Sequence, residues 1–211
     1  RQFPACGGCT FQHWQDDPAI AWKAAQLDGF LARAGVAPTT RLDAHISPRH
    51  SRRRATFHIK RLAGSVVAGF LERGSNHIVT PAGCSVLRPE LVRMLPRIVE
   101  IAERCFPVGL TIDAAANCLD NGICLLLRGP DGWYDGLLEM LATWADDTGL
   151  ARLSVAIAGG RTREDAALTI YAPAPPILSF GGIAITPPPG TFLQATIEAE
   201  KVMQADIAGF T

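Results

Sequence analysis

Apolar residues recur at helical spacing in Ile20, Ala24, Leu27 and Leu31, with Asp17 and Pro18 as cap and first helical residue and Gly35 as stop. A second helical pattern begins near Pro89 and places Leu91, Leu95, Ile98, Ala102 and Cys105 on one face, with Pro96 expected to kink or divide it. A third runs from about Trp133 to Asp147, with Leu137, Leu141 and Trp144 inward and Gly149 after its end. A helical tail covers roughly Ile197 to Ala208.

Between these helices the period falls to two. Ala55, Phe57 and Ile59 alternate with Arg54, Thr56, His58 and Lys60, which predicts a strand with one apolar and one basic face. Leu62-Ala63-Gly64-Ser65 joins it to a partner at Val66 to Leu71, and Asp120-Asn121-Gly122 joins Ile112 to Ala116 with Ile123 to Leu127. His77 to Thr80, Leu153 to Ile157, Leu168 to Tyr171, Leu178 to Phe180 and Ile183 to Thr186 supply further strands, the last two meeting at Gly181-Gly182. Hairpins outnumber crossovers, so the expected class is α+β, a mainly antiparallel β-sheet with packed helices. Ala172-Pro173-Ala174-Pro175-Pro176 is a stiff connector, whereas Pro187-Pro188-Pro189-Gly190 marks a boundary. The expected organisation is a cysteine-rich loop (1–17), a central α+β unit (18–186), and a linker with a first helix (187–211) leading toward a further unit.

At 211 residues, 48% hydrophobic and 19% charged, the chain can bury a good core. No secretory signal or membrane-spanning stretch is evident, which points to a reducing, cytoplasmic setting. The zero net charge hides an asymmetry: residues 1–61 carry ten Lys or Arg against four acids, and the remainder is acidic. The excess concentrates in Arg49, Arg52, Arg53 and Arg54 and along the strand to His58, Lys60 and Arg61. Residues two apart on a strand lie about 7 Å apart, near the phosphate spacing of a nucleic-acid strand, so this row is a candidate RNA- or DNA-binding surface. A solvated sheet face fits the strand alone equally well, and the arginine run before it favours nucleic acid.

Six cysteines are present. Cys6-Gly7-Gly8-Cys9 has metal-ligand spacing, and its glycines let two thiols turn toward one ion or cluster. Cys84, in the loop Pro81-Ala82-Gly83-Cys84, is a candidate distant third ligand, while Cys105, Cys118 and Cys124 read as core thiols. Zinc and an iron-sulfur cluster are both compatible with these ligands. A CxxC oxidoreductase is disfavoured because no strand precedes the pair.

Taken in order, Cys6-Gly7-Gly8-Cys9 with Gln12-His13 and Lys23, the Arg52-Arg53-Arg54-Ala55 strand, Gly69-Phe70 with Ser75, Cys84-x-x-Leu87, and Pro189-Gly190-x-Phe192-x-Gln194 resemble the RNA 5-methyluridine methyltransferases. The resemblance spans nearly the whole chain, and the cysteines favour the branch that acts on 23S ribosomal RNA over the transfer-RNA branch. It implies a S-adenosyl-L-methionine-dependent enzyme of three parts, of which this chain matches the central RNA-binding part. It also implies a 4Fe-4S cluster on Cys6, Cys9 and Cys84, with a fourth cysteine six positions before the motif, immediately upstream of Arg1. Gln194 matches the glutamine that lies at the S-adenosyl-L-methionine site. The family's nucleophilic cysteine and base match nothing here, so the catalytic residues are expected in a following domain and the isolated chain is expected to be inactive. The runner-up is a non-catalytic nucleic-acid-binding module with a zinc or iron-sulfur staple. Ribosomal RNA is the expected partner.

Overall fold

The alternating run forms strand β1 (Arg54–Arg61), burying Ala55, Phe57 and Ile59 and exposing Thr56 and Lys60. The computed structural model describes residues 3–158 and 167–209. Beside β1 come β2 (Val66–Leu71), β3 (Ile78–Val79), β4 (Thr111–Leu119), β5 (Gly122–Gly129), β6 (Arg152–Ile157) and β7 (Leu168–Tyr171). They make one seven-stranded sheet in the order β3-β2-β1-β4-β5-β6-β7. Both expected hairpins form, with Arg61 opposite Val66 and Leu119 opposite Gly122. One pair breaks the antiparallel pattern: β5 and β6 run parallel, joined by a crossover through helix α3 (Asp135–Asp147). The fold is mixed α and β with a mostly antiparallel sheet, as the hairpin pattern indicates.

One sheet face is covered by α3 and by α2 (Pro89–Cys105), whose apolar stripes bury Leu91, Leu95, Ile98 and Ala102 and Leu137, Leu141 and Trp144 against Phe57, Ile59, Ala114, Leu125 and Leu153. Pro96 does not divide α2, which continues through it. The apolar spacing on both sides of the proline buries Leu95 and Ile98 in the core, and that packing outweighs the lost backbone hydrogen bond.

Helix α1 (Asp16–Arg33) departs from expectation in two ways. Its cap is the backbone of Gln15, so Asp16 and Asp17 fall in the first turn, where carboxylates favour the positive end of the helix dipole. It also buries no residue, and Leu27 is 59% exposed, because α2 and α3 already fill the apolar face of the sheet.

Across the other sheet face lies a smaller cluster of Leu119, Cys124, Ala151, Leu178 and Leu193. It seats the hairpin of β8 (Leu178–Phe180) and β9 (Ile183–Ile185) and the segment before helix α4 (Ile197–Gly209). Gly190 is needed there: its φ is +75°, and a side-chain carbon would lie 2.8 Å from Leu126 Cδ2. The segment after the proline run therefore packs tightly on the sheet.

Because Pro96 is exposed and its helix is otherwise continuous, Pro96→Ala is expected to raise unfolding free energy by up to about 3 kcal/mol. Thermal or urea denaturation measures this. A fall in stability would show that α2 requires the proline for its fit to the sheet.

Candidate functional site

The two glycines of the cysteine loop are explained by what they approach. Gly7 donates its amide to the Leu71 carbonyl at 3.0 Å, and a side-chain carbon on Gly7 would lie 2.5 Å from that oxygen. On Gly8 such a carbon would lie 3.2 Å from the Phe70 ring and 3.5 Å from Cys6 Sγ. Cys6 forms an isolated antiparallel bridge with Glu72, and Gln12 Nε2 donates to the Cys6 carbonyl at 2.7 Å. The loop thus lies against the end of β2. Cys84 closes a turn through its amide to the Pro81 carbonyl.

Cys6 and Cys84 both lie near enough to Cys9 to influence its thiol. Burial pushes the Cys9 thiol up from its ordinary pKa, the nearby Cys84 and then Cys6 add to this, and the Arg52 guanidinium opposes it. Among the described residues, however, no three Cys, His, Asp or Glu side chains are grouped closely enough to hold a metal ion. A single zinc holds its thiolates at about 2.3 Å and so draws them close together, whereas a polynuclear iron-sulfur group takes one thiolate at each of several irons. Soft sulfur donors and a loop stripped of side chains beside Cys6 suit either group, and the arrangement of the described residues selects neither. The expected fourth ligand lies outside the described residues. Cys105, Cys118 and Cys124 are core thiols as read: burial pushes Cys105 and Cys118 to about 11 and Cys124 upward.

The arginine run is bound directly to the chain that follows Cys84. His50 donates to the Ser85 carbonyl at 2.9 Å, Arg52 to Val86 at 3.0 Å, and Arg88 donates back to Arg52 at 2.9 Å, forming a parallel bridge between Arg52 and Leu87. Only two residues separate Cys84 from that bridge partner, so the thiol loop and the basic segment form one unit.

The basic residues divide into different roles. Arg49 is exposed and reaches Asp16 at 3.7 Å. Arg52 is half-buried, its Nε donating to the Arg54 carbonyl at 3.1 Å. Arg54 stacks on the exposed Phe192 ring at 4.2 Å, and its Nε is buried without a hydrogen-bond partner. Burial, and then Arg52, push the Arg54 pKa down. His58 Nδ1 lies 2.7 Å from Asp113 Oδ1, which places a carboxylate in the middle of the row. Lys60 is exposed, and Arg61 is engaged by the Leu62 and Ser65 carbonyls of the turn.

Arg53 corrects the sequence reading. It is 1% exposed, and its Nη2 donates to Glu200 Oε2 at 2.5 Å while Nε donates to the Gln194 carbonyl at 3.2 Å. Its side chain points into the protein because residue parity just before β1 puts Arg53 on the side of Ala55 and away from Arg54. Arg53 is therefore an internal brace and has no surface to offer a phosphate. Gln194, half-buried, has its backbone fixed by that bond. Two partners escaped the sequence reading. Arg88 stands beside Arg52 and pairs with Glu90 at 2.8 Å, and its only signal was adjacency to the Cys84 turn. Glu200 carried none, since nothing local marks an acid in α4 as buried.

No family model matches the chain. Along nearly its whole length, however, it is similar to bacterial proteins named as RNA methyltransferases. An uncharacterized RNA methyltransferase of Brucella suis is 31% identical over 210 residues, covering 97% of this chain and 47% of the relative. One from Caulobacter vibrioides is 33% identical over 211 residues, with 96% and 48% covered. The 23S rRNA (uracil(1939)-C(5))-methyltransferase RlmD of Thiobacillus denitrificans is 30% identical over 150 residues, covering 69% of this chain and 35% of the relative. The chain spans about half the length of the curated relatives it matches. In fold it is similar to the crystal structure of Pyrococcus abyssi tRNA (uracil-54, C5)-methyltransferase in complex with S-adenosyl-L-homocysteine, with a TM-score of 0.64 at 12% identity over 96% of this chain and 50% of that one.

The thiol environments predict an order of reactivity. In the cluster-free chain at pH 8, alkylation should reach the loop thiols first and Cys105 more slowly, with buried Cys118 and Cys124 protected until denaturant is added. Mass spectrometry of the labelled peptides gives the order, and early labelling of Cys118 would contradict its place in the core.

Proposed function

We propose that this chain is the RNA-binding half of an S-adenosyl-L-methionine-dependent RNA (uracil-C5)-methyltransferase that acts on ribosomal RNA in the cytoplasm. The observation that carries the reading is the similarity to RNA methyltransferases across 97% of the chain. The arrangement around Arg52 gives it physical content: exposed or half-exposed Arg49, Arg52, Arg54 and Lys60 share one side of the sheet and the loop beside it. In this reading they bind and orient the RNA strand by its phosphates. The spare Nε of Arg54 and the open face of Phe192 stand next to the Gln194 segment, which is assigned to the cofactor side. Arg53 acts indirectly, holding the Gln194 carbonyl so that the segment keeps one position relative to β1. S-adenosyl-L-methionine supplies the methyl group when bound. The reacting cysteine and base are assigned to the rest of the protein, so the isolated chain is expected to transfer no methyl group.

Cys6, Cys9 and Cys84 are assigned as ligands of a 4Fe-4S cluster whose contribution is structural, since methyl transfer requires no electron. Tying the loop at β2 to the turn at Cys84 closes a long chain segment and, through the bridge between Arg52 and Leu87, steadies the arginines. No helix among the described residues is long and apolar enough to cross a membrane.

Two experiments test the proposal. The complete protein, prepared anaerobically, should be brown and carry iron and sulfide near four per chain, as the assigned cluster requires, and Cys84→Ser should abolish both. One zinc per chain without visible absorbance would instead favour a zinc-stapled binding module. In RNA binding measured across salt concentrations, Arg49→Gln, Arg52→Gln and Lys60→Gln should each flatten the log–log slope by about 0.7 to 1. A triple variant with unchanged affinity and slope would remove the RNA interface from this face.

A further inference from the structure

Helix α1 and the end of the cysteine loop display a group of aromatic rings that no core covers. Phe11 lies 5.4 Å from Trp14 and 5.2 Å from Trp22, and the two indoles meet edge to face at 5.9 Å. Trp14 is 36% and Trp22 42% exposed, although large aromatic side chains contribute most when buried. α1 itself buries nothing. Holding the loop against α1 accounts for the contacts among the rings, but it does not account for two indoles left open to solvent.

Cations stand close to the rings. Lys23 Nζ lies 5.5 Å from the centre of the Phe11 ring. Arg49 reaches Asp16, two residues beyond Trp14, so the aromatic group and the basic segment are neighbours. That contact also offsets one of the two acids in the first turn of α1, leaving Asp17 as the opposing charge. Flat rings beside a row of cations are the two elements by which proteins hold unpaired nucleic-acid bases, the rings by stacking and the cations by the phosphates. An aliphatic partner surface would call for no such cations.

We propose that Trp14 and Trp22, backed by Phe11 and Lys23, form a stacking platform for unpaired RNA bases, continuous with the phosphate-binding side of Arg49 and Arg52. This rests on the RNA-binding reading and extends it to residues that make no ionic contact. The platform takes single-stranded or looped RNA, because paired bases have no free faces to stack.

Tryptophan emission tests it directly. The chain has four tryptophans; Trp144 is buried and Trp133 is half-buried with its Nε1 donating to the Ala156 carbonyl, so quenching by a bound base must come from Trp14 and Trp22. Titration with a uridine-rich single-stranded oligonucleotide should quench the emission, and the quenching should vanish in a Trp14→Leu/Trp22→Leu variant. Affinity should fall about 5- to 150-fold for each lost stack, with the salt slope unchanged, whereas Arg52→Gln lowers the slope. Trp22→Phe should retain most of the affinity. The quenching in the unaltered chain is informative whether or not the double variant folds. If RNA binds with emission unchanged and the double variant binds within two-fold of the parent, the platform is overturned while the arginine interface stands. If no RNA binds even at low salt, the RNA-binding reading itself falls, and the platform with it.

Discussion

The buried Arg53 is the constraint on which the arrangement of this protein turns. A guanidinium removed from water is costly unless it is paired and its donors are used. Here Glu200 takes one donor, the Gln194 carbonyl takes another, and the backbone of residue 53 is bonded on both sides: its amide donates to Ala195 and its carbonyl accepts from Cys118. One residue therefore fixes the entry to β1, the middle of the sheet at β4, the segment after the proline run and the start of α4. Removing either partner would leave an uncompensated charge in the interior, so the geometry is strongly specified.

From that junction the surface proposed to bind RNA follows. With Arg53 turned inward, Arg52 and Arg54 are turned outward by the parity of extended backbone, one beside the Cys84 segment and one across the Phe192 ring. The cysteine loop and the arginines are separated in sequence by about forty residues, yet meet because both border the strand pair of β2 and β1 and the turn that leads to α2. A cluster at the thiols would act on the arginines through backbone hydrogen bonds, a short and stiff connection.

Much of this was legible in the sequence. Period-two alternation fixed which face of β1 is buried, and the hairpin turns gave the pairings of β1 with β2 and of β4 with β5. Helical spacing gave α2 and α3 almost to the residue, because their apolar stripes have a sheet to cover. The same spacing misled for α1, since a stripe says what can be buried and not whether a surface remains to bury it. The parallel pair of β5 and β6 was missed because a crossover looks locally like any strand-helix-strand run. Charge was the least legible property. Arg52, Arg53 and Arg54 are indistinguishable as letters, and only the position of Glu200, far along the chain, makes the middle one structural. His58 is likewise engaged from outside its own segment, by Asp113 on the adjacent strand.

The most direct measurement is a double-variant cycle at Arg53 and Glu200, read by both unfolding free energy and RNA affinity. Arg53→Met and Glu200→Leu are each expected to cost about 3 to 5 kcal/mol alone, and much of that loss should be recovered when the pair is replaced together. The double variant should bind RNA with the salt slope of the parent, because neither side chain reaches the surface. Additive, small losses in stability together with a slope reduced by about one would instead make Arg53 a phosphate contact and contradict the account.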